Sequence, residues 1–100
     1  MVQAVMAQHG PFDIVVNNAG VDQHAFFTDT TPEDWARLLA VNLVSTFACT
    51  HAALPAMQAA GFGRIINITS EAARLGSKGG AVYSAAKGGV IAFTKSIARE

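Results

Sequence analysis

Charge is scarce and balanced in this 100-residue sequence, with seven Lys/Arg against seven Asp/Glu. No basic stripe is available for nucleic acid or for an anionic membrane surface, so neither partner is expected. A single cysteine, Cys49, excludes an internal disulfide and fits a reducing compartment. No unbroken apolar run approaches the roughly 20 residues of a membrane span, and no charged segment followed by an apolar core opens the chain. A soluble cytoplasmic protein is the expectation. His9, His24 and His51 are scattered without ligand spacing, so no metal site is expected. The sequence contains neither Gly-x-Gly-x-x-Gly nor a Gly-x4-Gly-Lys-Ser/Thr phosphate loop. Gly76-Ser-Lys-Gly-Gly80 has the composition of such a loop but not its spacing.

What is present is apolar. Hydrophobic residues make up 51% and charged residues 14%, a balance that calls for buried elements and excludes disorder. Met1 to His9 has Val2, Val5 and Met6 at helical spacing, closed by Gly10-Pro11. Phe12 to Val16 is a short β-branched run, read as a strand buried on both faces and ending at Asn17-Asn18-Ala19-Gly20. Small and amide residues just past such a strand mark the carboxyl edge of an open sheet, where ligands bind, although the same residues also make a plain turn. Val21 to Thr30 is a loop, with Phe26 and Phe27 expected to tuck beneath it. Thr31-Pro32-Glu33-Asp34 starts a helix, with threonine as N-cap, proline at the first position and acids in the first turn. That helix is expected to run to about Ala60, apolar on more than one stripe, with Pro55 kinking or fraying its last turns. Asn42 falls inside its apolar zone, either as an internally capped core amide or as a polar group aimed at a site. Gly61-Phe62-Gly63 closes the helix, and Arg64 to Thr69 is a second strand. Strand, long helix, strand is a βαβ unit, which implies a parallel pair with a right-handed crossover. Glu71 to Gly80 is a loop, and a final helix starts near Ala81. Gly88-Gly89 within it costs roughly 1 kcal/mol each relative to alanine, tolerable where another backbone approaches closely, such as a partner helix.

The chemistry concentrates between Ser70 and Lys87. Tyr83 and Lys87 stand four positions apart at the start of the last helix and therefore share one face. An ammonium beside a phenol favours the phenolate and eases proton transfer near neutral pH. Ser70 adds a hydroxyl donor where the second strand stops. Phenol, ammonium and hydroxyl are the set that carbonyl reduction needs: a proton donor, a group that tunes it, and a second donor for the developing oxyanion. Taken alone, Tyr-x-x-x-Lys also describes a solvated lysine over a packed tyrosine.

The wider pattern resembles the central segment of the short-chain dehydrogenase/reductase family over essentially the whole chain. The matching features are Val16-Asn-Asn-Ala-Gly20 after the first strand, Asn42 in the long helix, Ser70 after the second strand, and Tyr83-x-x-x-Lys87. In that family the active serine lies thirteen positions before the tyrosine, as Ser70 does here. The resemblance implies an α/β fold, a partial Rossmann-type doubly wound parallel sheet of two strands and two long helices preceded by the end of another helix. It implies that residues 1–100 are the central part of a single NAD(P)-binding domain truncated at both ends. It also implies roles: Tyr83 as general acid/base, Lys87 tuning it and bonding the nicotinamide ribose, and Ser70 polarising the substrate oxygen. Asn42 would hold a water linking Lys87 to solvent, and Asn18, Ala19 and Gly20 would line the cleft for NAD or NADP. The family's glycine-rich turn on its first strand is missing, as are the cofactor-selecting residue and the pocket segment after the Tyr-Lys helix. The 100-residue chain alone is therefore expected to bind the dinucleotide poorly.

The implied protein is an oxidoreductase acting on a small alcohol/ketone pair, and the run from Asn67 to Arg99 looks most like the branch of 3-oxoacyl-carrier-protein reductases and hydroxyacyl-CoA dehydrogenases. A homo-oligomer, dimer or tetramer, is expected through the two long helices. The competing possibilities are a catalytically silent Rossmann-like scaffold and another chemistry on the same fold, an epimerase or dehydratase.

Overall fold

The computed structural model describes residues 1–100. Its elements follow in the order α1 (Val2–His9), β1 (Ile14–Asn17), α2 (Pro32–Ala60), β2 (Arg64–Asn67), a short α3 (Ala72–Leu75) and α4 (Ala81–Arg99). A single 3-10 turn, Phe27–Asp29, lies in the loop before α2. The two strands pair in parallel, Ile14 opposite Arg64 through Asn17 opposite Asn67. With α2 as the connection and α4 following β2, this is the α/β succession of a partial Rossmann-type sheet.

Helix α2 begins where side chains close its first turn. Thr31 Oγ1 accepts the Asp34 amide at 3.3 Å, and Asp34 accepts the Thr31 amide at 2.9 Å, with Pro32 next in the chain. That backbone hydrogen bond from Thr31 holds the Asp34 carboxyl below its ordinary value. The helix ends at Gly61, whose φ of 69° is the left-handed cap that residues with a Cβ avoid.

Three features mark α2 between its ends. Residues Ala40–Val44 form a π turn instead of continuing the α pattern. The helix also passes through Pro55 without breaking. Pro55 and His51 are both exposed, so the carbonyl that loses its donor is on the solvent side, where water can take the bond. Third, no Asp, Glu, Lys or Arg stands between Arg37 and Arg64, and the unbroken helix reaches a mean hydropathy of 1.4 over its most apolar window. By length and composition α2 is thus sufficient to cross a membrane, contrary to the expectation from unbroken apolar runs. A core helix meets the same criterion.

The buried stripe of α2 is Leu38, Asn42, Thr46, Thr50, Ala53 and Met57, whereas Val44 and Phe47 are exposed. Between Leu38 and Met57 the stripe is small or polar, which lets the middle of the helix lie close to β1 and α4. At Gly89 of α4 a Cβ would come within 3.0 Å of Leu43, so the glycine admits α2 of the same chain and not a partner helix. The sheet is covered on one face. Asn17 and Asn67 point toward α2 and α4, through Thr50 and Thr94, while Ile14, Val16, Ile66 and Ile68 on the other face are 58%, 55%, 48% and 43% exposed. The expectation of strands buried on both faces fails here because the described helices occupy one side only. Phe26 and Phe27 also lie on the surface and not under their loop. Phe27 stacks on Trp35 at 5.6 Å, and Lys78 Nζ sits 5.6 Å above the Phe26 ring.

Candidate active site

Ten of the 100 residues are buried, and four of those are Asn42, Thr46, Thr50 and Lys87. The small core is thus shared between apolar side chains and polar ones, and two of the polar ones, Asn42 and Lys87, bond backbone just past the strands, at Val21 and Ile68.

Asn42 organises the polar part. Its side chain is fully buried, and its Nδ2 donates to the Leu38 carbonyl at 2.9 Å and to the Val21 carbonyl at 2.7 Å. Its Oδ1 accepts the Val21 amide at 3.1 Å. Both backbone groups of Val21 are thus satisfied by one side chain, and the loop leaving β1 is clamped to the π turn of α2. Loss of the amide would leave the groups of the exposed Val21 to water and undo the clamp. Of the two roles open to Asn42 from sequence, the capped amide is what its hydrogen bonds show, and what it caps is the cleft loop. The clamp sets Gly20 directly against the site. A Cβ at Gly20 would lie 2.9 Å from Asn42 Oδ1 and 3.4 Å from Lys87 Nζ, so only glycine fits between them. Asn18 and Ala19 are exposed just before it.

Lys87 is 4% exposed, and its Nζ donates to the Ile68 carbonyl at 3.1 Å. Burial pushes its ammonium below the ordinary lysine value. Nζ also stands 6.0 Å from the centre of the half-buried Tyr83 ring, one helical turn away, as the spacing predicts. An ammonium carries three donors, and one is used by the protein. The Tyr83 hydroxyl has no hydrogen-bond partner in the chain. Ser70 Oγ accepts the Ala72 amide at 3.2 Å, which leaves its proton free to be donated. Two ammonium donors, the Tyr83 hydroxyl and the Ser70 hydroxyl are thus left to donate outside the chain.

Sequence reasoning did not single out the residues that tie these groups together. Asn17 Nδ2 donates to Asn67 Oδ1 at 2.8 Å across the strand pair, and Asn67 Nδ2 donates to Thr94 Oγ1 at 2.9 Å. Thr94 Oγ1 in turn donates to the Val90 carbonyl at 2.7 Å. Thr69 Oγ1 donates to the Lys87 carbonyl at 2.9 Å. The signal for the first two was available: an asparagine at the last residue of each strand falls in register once the strands are known to be parallel.

Comparison with known proteins places the sequence in a family. A family model described as short chain dehydrogenase matches residues 1–100. Acetoacetyl-CoA reductase of Rhizobium meliloti (strain 1021) is 43% identical over 99 residues, 99% of this chain and 41% of that protein. Nodulation protein G of Azospirillum brasilense is 46% identical over 100 residues, covering 100% of this chain and 41% of the relative. D-beta-hydroxybutyrate dehydrogenase of Cupriavidus necator is 41% identical over 100 residues, 100% of this chain and 39% of its own length. The chain spans less than half the length of these curated relatives.

Proposed function

The chain belongs to the short-chain dehydrogenase family, and from that premise we propose that it is the central part of one NAD(P)-binding domain in a longer oxidoreductase. That enzyme interconverts a secondary alcohol and a ketone. The observation that supports this most is the buried Lys87, held between the Ile68 carbonyl, Gly20 and the Tyr83 ring with two donors free.

The residues present suit a nicotinamide nucleotide, NAD or NADP. Free ammonium donors beside a loop narrowed to glycine at position 20 match ribose hydroxyls, with Asn18, Ala19 and Gly20 lining the cleft. When bound, the cofactor supplies or accepts the hydride. The remaining tasks fall to the protein. Tyr83 gives its hydroxyl proton to the carbonyl oxygen in reduction and takes the alcohol proton in oxidation. Ser70 donates to the same oxygen and steadies the charge that develops there. Lys87 keeps a positive charge near the phenol and orients the ribose. Asn42 holds the loop, and with it the width of the cleft. A water relay through Asn42 belongs to the same proposal, with the backbone of the π turn as its anchor, because the side-chain amide is already engaged.

For the substrate, we take the 3-oxoacyl thioester and its 3-hydroxy form as the pair. The relatives' names, acetoacetyl-CoA reductase and 3-oxoacyl-[acyl-carrier-protein] reductase, support that class. A panel of acyl-CoA thioesters, simple ketones and sugars, assayed with the full-length enzyme by nicotinamide absorbance, tests both levels. Fastest turnover on a thioester is the expected result. A faster sugar or polyol removes the thioester and leaves the oxidoreductase; no reduction of any carbonyl with either cofactor removes both.

A homo-oligomer, dimer or tetramer, in a cytoplasmic setting completes the proposal, in keeping with the free Cys49. Its motive is the apolar outer side of α2, where Val44 is 49% and Phe47 40% exposed, beside Phe93 at 4.8 Å from Phe47. Phe47→Glu is expected to split the full-length assembly into smaller species in sedimentation velocity. An unchanged profile would place the contact elsewhere.

A further inference from the structure

Three consecutive residues at the end of β2 are each bonded to α4. Asn67 Nδ2 donates to Thr94 Oγ1 at 2.9 Å, the Ile68 carbonyl accepts Lys87 Nζ at 3.1 Å, and Thr69 Oγ1 donates to the Lys87 carbonyl at 2.9 Å. Lys87 is therefore held at both ends, its ammonium by residue 68 and its carbonyl by residue 69. Ser70 is the next residue along the chain.

The Thr69 bond is not needed to satisfy either group. The Lys87 carbonyl lies inside α4, where the helical pattern already supplies a donor, and Thr69 takes its second lone pair. Thr69 itself is exposed, so water could serve its hydroxyl equally well. What the bond adds is geometry. The lysine ammonium rides on a flexible four-carbon stem, which fixes Ile68 only loosely against the helix. A threonine side chain is short and stiff at χ1, and its acceptor is helix backbone. Of the links to the helix, the Thr69–Lys87 bond is thus the rigid one nearest Ser70.

We propose that Thr69 is a positioning residue for the reaction: its hydroxyl holds the strand end carrying Ser70 in register with the helix carrying Lys87 and, one turn earlier, Tyr83. This rests on the functional reading of Ser70, Tyr83 and Lys87 given above. Small displacements at a reacting centre are costly, since a shift of about 1 Å can lower turnover by about a hundredfold.

The test uses the full-length enzyme with its preferred carbonyl substrate. Thr69→Val keeps the shape and removes the hydroxyl, and it is expected to lower kcat by about tenfold or more with the cofactor KM within about twofold. Thr69→Ser restores the hydroxyl and is expected to recover most of the lost kcat. In a Ser70→Ala background, Thr69→Val costs nothing further, because the group it positions is gone. A merely structural threonine would lower the melting midpoint without this non-additivity. If Thr69→Val does not fold, Thr69→Ala takes its place with the same expectations. Wild-type kcat in the valine variant, no rescue by serine, or losses that multiply in the Ser70→Ala background would each overturn the proposal. If Ser70→Ala itself leaves kcat unchanged, the catalytic reading of Ser70 falls and takes this proposal with it. If Ser70→Ala is crippling and Thr69→Val is not, the role of Thr69 alone is refuted.

Discussion

Tyr83→Phe in the full-length enzyme is expected to lower carbonyl reduction by about 10²–10⁴-fold, the span that general acid catalysis supplies. Cofactor affinity and melting midpoint should stay close to wild type. The reason is local. The Tyr83 ring is half-buried on the first turn of α4 and packs near Lys87, while its hydroxyl bonds to nothing in the chain. Phenylalanine keeps the ring and the packing and removes only the transferable proton. No buried polar partner is left stranded by the change, so the usual stability cost of deleting a hydroxyl does not arise. Single-turnover reduction with cofactor bound and titrated separately checks both halves. Retention of more than a few per cent of wild-type turnover would mean that another group delivers the proton.

How much of this could be read in the sequence depended on whether the signal was local. The start of α2 was legible because Thr31 and Asp34 cap each other three residues apart, and its end because Gly61 must adopt a left-handed conformation. Tyr83 and Lys87 were legible because helical spacing alone puts them on one face. The two strands were found, but not which face was covered, since β-branched runs look alike whether one or both sides are packed. The inward face of α2 was not legible for a related reason. Its apolar residues cover more than one stripe, and only packing on β1 and α4 selects Leu38, Asn42, Thr46, Thr50, Ala53 and Met57. The π turn at Ala40–Val44 has no propensity signature. In the structure it coincides with the stretch where Asn42 bonds Leu38 and clamps Val21, a long-range demand that no window of sequence contains. Thr69 escaped notice because its partner, the Lys87 carbonyl, is a backbone group eighteen residues away.

Lys87 offers the second large effect, and the one that separates catalysis from stability. Both Lys87→Met and Lys87→Arg are expected to lower turnover by about a hundredfold or more, since neither places a compact ammonium under the phenol. Unlike Tyr83→Phe, both should also weaken cofactor binding, because the free donors assigned to the ribose are lost or displaced. Their stabilities should diverge. Arginine must fit a bulkier planar head into a slot so narrow that even a Cβ on Gly20 would lie 3.4 Å from Nζ, and should melt lower than wild type. Methionine fills the same slot without a charge to desolvate, and should melt higher in the absence of cofactor. Each kcal/mol recovered raises the midpoint by about 2–4 °C in a domain of 150–250 residues. The pH dependence gives the sign of the same term. Burial lowers the native-state value of Lys87 below that of the unfolded chain. Below the native value both states hold the proton and the penalty stands in full. Between the two values the unfolded chain binds more protons, so wild-type stability rises with pH. The advantage of Lys87→Met should therefore be largest at neutral pH and shrink as pH climbs toward the ordinary lysine value. Denaturant midpoints of wild type and variant across that range measure it. A methionine variant that melts lower than wild type, or whose advantage grows with pH, would show that the Ile68 carbonyl and the Tyr83 ring more than compensate the buried ammonium.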